Sequence, residues 1–298
     1  MLAKTSHAKS LEASDLPEDW LGRTAFGEPL ALGQFLDAGC YDSVRAAARR
    51  LTFCRDKVPD IGALNRLTQN SPQQIVTANG HAVSFTAQNM DPSAYGYEAQ
   101  IFSTGAVPTR PNNIHDLFNA LVWLSFPLSK AAINGRHITE RQNHAEGSNR
   151  GPAQDALTLF DECGVIVVSD RSELPERIER FEWKELFWRQ RELVARHMRF
   201  FLFGHGLMEQ MLHPYIGLTG KALLMNVEET WLNANTDALL QHIDARTRAL
   251  IASPACFVRG RDLLPLPLLG IPGWSPDNEY ESYYDNVRYF RSGRRKEA

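Results

Sequence analysis

This sequence has no run of about 18 consecutive apolar residues, the length a membrane-spanning helix needs. Its opening, MLAKTSHAKSLEASDLPEDW, places no apolar stretch behind a basic region, so a secretory leader is not expected. Cysteine is scarce. Cys40, Cys54, Cys163 and Cys256 are scattered without CxxC spacing, which argues against a zinc knuckle or a redox dithiol and for free thiols in a reducing compartment. Charge of one sign is not in excess: 32 Lys and Arg face 35 Asp and Glu, so nucleic acid is not indicated as a partner. Internal repeats are lacking, and so are the P-loop, GxGxxG after a strand, GxSxG and HExxH patterns. GLTGKA at 217–222 lacks the first glycine and the closing Ser or Thr of a phosphate loop. A cytoplasmic protein with no membrane partner is the expectation.

What is present suffices for a sizeable core: 298 residues, of which 43% are hydrophobic. The patterning predicts an α+β fold, predominantly helical, with a small mixed sheet, as one globular domain over 1–274 and an aromatic, basic arm over 275–298. Residues 28–52 read as one or two short helices. Asn79-Gly80 lies between two β-prone runs and predicts a hairpin over 74–88. A helix opens at Ile114, capped by Asn112 or Asn113, and ends at Pro127. The polar stretch 134–152 reads as a long loop, and 153–163 as a helix stopped by Gly164. The run VIVVSD after that helix and the segment 221–229 read as strands, with a long helical region over 173–212 between them, broken near Gly204 and Gly206. That order permits parallel pairing through a right-handed crossover. Residues 236–253 form a further helix, and the alternating Pro and Leu of LLPLPLLG suggest an extended course.

Three apolar helical segments carry polar side chains at helical spacing. In NNIHDLFNALVWLSFPLSK, His115, Asp116 and Asn119 can share one stripe. In AQDALTLFDECG, Asp155, Thr158 and Glu162 lie at i, i+3 and i+7, with Asp161 beside them. Asp161 and Glu162 sit at a helix C-terminus, where the macrodipole disfavours carboxylates unless a cation compensates. In FFLFGHGLMEQMLHPY, His205, Glu209 and His213 follow one another at four-residue steps, and the glycines on either side of His205, costly in a helix, suggest close backbone approach or a break there. The blander reading is a set of first-turn acids and hydrogen-bonded core residues. However, burying an unpaired polar group costs roughly 1–3 kcal/mol, so each needs a partner or a wet pocket.

These segments, with PYIGLTGKAL and LLPLPLLGIPGW, resemble a bacterial family catalogued as a domain of unknown function, number 3025. The resemblance spans about 97–274. It implies that the blocks belong to one domain and that their polar positions are candidates for a common site, and it supplies no mechanism.

The residues themselves suggest a metal-assisted hydrolase acting on a small anionic substrate. Asp161, Glu162, His205 and Glu209 are the expected ligands of a divalent metal. His115, oriented by Asp116 and accompanied by Asn119, is the expected proton carrier. Lys130, Arg150 and Asp155 are the expected substrate contacts. The competing expectation is a non-catalytic ligand- or protein-binding module with a buried polar network. In it, Tyr280, Tyr283, Tyr284, Tyr289 and Phe290 of the arm would form an oligomer contact.

Overall fold

The computed structural model describes residues 37–51, 58–88, 96–143 and 150–293. Part of the predicted helices over 28–52, Cys54 and the end of the basic tail lie outside these residues. The elements run α1 Asp42–Ala48, α2 Ile61–Gln69, β1 Ser84–Ala87, α3 Gly96–Thr104, β2 Ala106–Thr109, α4 Ile114–Ser125, α5 Pro127–Gln142, α6 Pro152–Cys163 and β3 Gly164–Ser169. They continue with α7 Glu173–Glu179, a π-turn at Glu185–Arg189, α8 Arg191–His197, β4 Met198–Leu202, α9 His205–Gln210, β5 Thr219–Asn226, α10 Glu229–Leu232, α11 Thr236–Ala252 and β6 Leu264–Pro267. The protein is α+β and mostly helical, with one two-stranded and one four-stranded sheet among the described residues. Among the described residues no helix is long and apolar enough to cross a membrane.

The larger sheet has the order β4-β3-β5-β6. All six residues of β3 are buried, and the strand pairs parallel with β5 and antiparallel with β4. A continuous β-branched run suits such a two-sided position. Pro265 and Pro267 sit in β6, an edge strand, where a missing N–H breaks no ladder. β4 corrects the helical reading of 173–212. MRFFL has no breaker before it, and a short apolar run does not distinguish helix from strand by period; pairing with β3 decides it.

Two other expectations change. The Asn79-Gly80 turn forms, with Gly80 at φ 82 and one bridge, Val76 to Ala82. The second run then leaves the hairpin, because Ser84–Ala87 pairs parallel with Ala106–Thr109. The predicted loop over 134–152 is helix as far as Gln142. Pro127 does end α4, since the residue before a proline is pushed out of helical geometry, but it also occupies the first turn of α5.

α5 and α11 run in the same direction and cap each other. Asp244 of α11, only 3% exposed, accepts Leu128 N–H at 3.0 Å, Ser129 N–H at 2.8 Å and the Ser129 hydroxyl at 2.5 Å. It serves the first turn of α5, whose own N-cap Phe126 offers no side-chain acceptor. In return Arg136 donates to the carbonyls of Ile251, Ser253 and Cys256 at the end of α11. In the C-terminal segment Tyr284, Tyr289 and Phe290 are buried within the same chain, whereas Tyr280 is exposed. The Tyr284 hydroxyl donates to Gly270 C=O and the Tyr289 hydroxyl to Leu218 C=O. Replacing Asp244 with Ala strands buried donors at the start of α5 and is expected to lower the unfolding free energy by roughly 1–3 kcal/mol, measured by urea denaturation.

Candidate metal centre

α6 passes into β3 without a loop, and β4 reaches α9 through Phe203 and Gly204 alone. Because Val165 pairs with Leu202, the end of α6 and the start of α9 lie side by side. The Gly164 carbonyl extends the ladder by accepting both Phe203 N–H and Gly204 N–H at 2.9 Å. Phe203, fully buried, fixes this corner by stacking on Phe160 at 4.6 Å and packing on Phe126 at 5.3 Å. Each such aromatic pair adds about 0.5–1.5 kcal/mol beyond area burial.

The two glycines around His205 are explained by close approach. A Cβ on Gly204 would lie 2.5 Å from backbone atoms of Glu162 and Cys163, and one on Gly206 would lie 2.4 Å from Glu162 Oε2. α4 completes the corner. Its N-cap Asn113 accepts Asp116 N–H at 3.0 Å, and Ile114, Leu117, Phe118, Leu121 and Val122 fill the core. His115 is thereby turned toward α9.

His115, Glu162 and His205 converge so that one ligand atom from each lies within 4.8 Å of the others. His205 Nε2 is 3.4 Å and His115 Nε2 is 3.9 Å from Glu162 Oε1, and the two rings meet edge-on at 4.5 Å. Tetrahedral ligands at metal distances of ~2.0–2.1 Å stand about 3.3 Å apart, so small side-chain adjustments suffice to enclose a cation. His115 Nδ1 lies 2.9 Å from Glu209 Oε2, and a proton donated there leaves Nε2 as the lone-pair side facing Glu162. The Glu162 side chain is 41% exposed, so the cluster is open to solvent on that side.

The electrostatics fit a cation. Burial acts to lower the His115 pKa, but the bond to Glu209 and the charges of Glu162, Glu209 and Asp116 hold it above its usual value. Burial acts to raise Glu162, but His205 by bond and charge, with the charge of His115, holds it below the ordinary carboxylate range. Asp161 is likewise held low against its burial, by Lys130 first and then His205. Asp161, Glu162 and Glu209 meet one ammonium group, that of Lys130, while Arg110 takes Asp116, so the corner draws positive charge.

The expected site residues separate into groups. Glu162 and His205, both expected as metal ligands, come together with His115, expected as the proton carrier. Glu209 backs His115 and is not in the triad. Asp161 receives Lys130 Nζ at 2.6 and 2.8 Å, which pairs an expected metal ligand with an expected substrate contact. Asp116 does not orient His115; it takes Arg110, at 2.8 and 3.0 Å to the guanidinium and 2.6 Å to the backbone N–H. Asn119 donates to the Tyr97 hydroxyl at 3.0 Å. Arg150 and Asp155 are exposed, and among the described residues no hydrogen bond or ion pair links either to the triad.

Tyr97, Asn134 and His137 escaped the sequence reading. Lys130, Asn134 and His137 do lie at i, i+4 and i+7, a stripe visible once Pro127 is taken as opening a helix. Nothing in the sequence marks Tyr97.

The fold and this corner define a mainly helical α+β protein with a two-histidine, one-carboxylate cluster at one end of its sheet. Residues 83–294 match the family model described as a protein of unknown function, DUF3025, and the chain belongs to that family. No curated protein and no solved structure matches it.

The two glycines predict different outcomes. Gly204→Ala meets backbone and is expected to cost roughly 1–3 kcal/mol of stability in urea. Gly206→Ala meets mainly the movable end of Glu162, so the same measurement should change by less than about 1 kcal/mol, the helix preference for Ala offsetting part of the contact.

Proposed function

We propose that this protein is a metal-dependent hydrolase in which His115, Glu162 and His205 hold a divalent cation. The observation that carries the reading is the convergence of two imidazole Nε2 atoms and a carboxylate oxygen, with one imidazole backed by Glu209. Two His and one Glu are a recurring donor set for zinc in hydrolases, and three protein ligands leave a position for water, whose pKa the cation lowers. The carboxylates of the corner and the solvent-facing side of Glu162 favour the same reading. An anionic group on the substrate gains no support from Lys130, whose charge is taken by Asp161.

A non-catalytic polar network is the second reading. It is favoured by the mutual pairing of His115 with Glu209, His205 with Glu162 and Lys130 with Asp161. Metal analysis separates the two. After equilibration with zinc and gel filtration, the protein is expected to retain one equivalent. His115→Ala, His205→Ala and Glu162→Gln should each weaken binding more than about 100-fold, since changes behind the ligands alone cost 10–100-fold. Asp155→Ala should bind as the parent does. Equal metal content in all three ligand variants, or none in the parent, would leave the network reading.

A further inference from the structure

Beside the triad a second set of polar side chains is buried without full pairing. α4 continues the line of His115 through Asn119 to Trp123, and α5 presents Lys130, Asn134 and His137 at helical spacing. Tyr97 and Glu98 of α3 meet both helices. Asn119 Nδ2 donates to the Tyr97 hydroxyl at 3.0 Å, while Asn134 Nδ2 donates to Glu98 C=O at 2.8 Å and Glu98 Oε2 at 2.7 Å. Lys130, 5.6 Å from the Trp123 ring centre, closes onto Asp161, and Asp161 Oδ2 stands 3.9 Å from His205 Nδ1. The set therefore leads from the triad along α4 and returns to it through α6.

Asn119 is 6% exposed and Asn134 1% exposed, yet among the described residues Asn119 Oδ1, Asn134 Oδ1 and His205 Nδ1, all buried, have no hydrogen-bond partner. The orientation of Asn134 is fixed, because its amide nitrogen faces two acceptors. The Tyr97 hydroxyl accepts from Asn119, and among the described residues its own proton has no acceptor. Tyr97 as a residue is 44% exposed, but enclosure at its hydroxyl end first, and then the charges of Glu98 and Asp161, push the pKa of that hydroxyl far up and keep it protonated. Unpaired buried groups are costly, and three of them in this set, beside a solvent-open cluster, call for something to pair them.

The chemistry of the gaps is specific. Asn134 Oδ1 needs an N–H or O–H donor, and the Asn119 amide and Tyr97 hydroxyl, whichever of the two donates to the other, leave one donor and one acceptor unused between them. The nearby cation, Lys130, is neutralised by both oxygens of Asp161. A carboxylate would bring only acceptors and a second negative charge beside Asp161 and Glu98. An uncharged amide brings a carbonyl oxygen and N–H groups together.

We propose that Tyr97, Asn119 and Asn134 form the substrate subsite of the triad, and that it takes an uncharged primary carboxamide or ureido group. The assignment rests on the metal-dependent reading for its chemistry and not for its binding. Hydrolysis of a carboxamide there consumes one water: its oxygen bonds to the carbonyl carbon, the C–N bond breaks, and nitrogen leaves as ammonia with a proton from that water.

The test uses the full chain with acetamide, urea and acetate as probes, followed by saturation-transfer NMR with and without zinc. Acetamide and urea are expected to bind, with acetate failing to compete. Tyr97→Phe and Asn119→Leu should each weaken acetamide about tenfold while zinc content stays at the parental level. If Asn119→Leu fails to fold, Tyr97→Phe decides alone. Acetate binding as well as acetamide, or folded variants binding acetamide as the parent does, would overturn the subsite and assign these atoms to buried water. Amide binding that persists where no zinc is retained would keep the subsite and remove the metal. Zinc retained without amide binding would do the reverse.

Discussion

The antiparallel register of β3 with β4 is the constraint on which the corner depends. Each strand is joined to a helix with almost no slack, β3 to the end of α6 and β4 to the start of α9. Pairing Val165 with Leu202 therefore fixes Glu162 against His205 within a few ångströms. A one-residue slip would turn every side chain of β4 to the other face and separate the two helix ends. The Gly164 carbonyl, shared between Phe203 and Gly204, and the stacked Phe160 and Phe203 hold that register from the backbone and core sides.

Around this frame the charges are distributed so that burial is compensated at close range. Asp161 and Glu162 end a helix, where the dipole opposes them, and both are drawn inward by cations or imidazoles on neighbouring elements. Lys130 reaches Asp161 from α5, His115 reaches Glu209 from α4, and Arg110 removes Asp116 from the competition. Such a set is sensitive to the loss of one member, because a buried charge left without its partner is far costlier than the pair was worth. The mutual capping of α5 and α11 by Asp244 and Arg136 applies the same economy to backbone groups.

Much of the helical framework was legible. Asn113 before an apolar run, Gly164 after α6 and the period of 236–253 all correspond to observed helix bounds within a residue, because capping and amphipathicity are local. The buried strand VIVVS and its parallel partner were legible from β-branched content and order along the chain. β4 was not: MRFFL continues an apolar stretch that suits either period, and its partner lies thirty-odd residues away in sequence. α5 was hidden by its polar composition, since Asn134, Arg136 and His137 are buried although none of them is apolar.

In the corner itself the sequence determined which segments carry polar groups at helical spacing, and therefore that His115, Glu162, His205 and Glu209 were residues to watch. Gly204 and Gly206 also marked a place of close backbone approach or of a break in the helix. The tertiary structure alone decided the partners: Glu209 and not Asp116 stands behind His115, and Lys130 is paired with Asp161. The physical reason is range. Helical spacing is set by neighbours three or four residues away, whereas the partner of a buried charge is chosen among every element that packs against it.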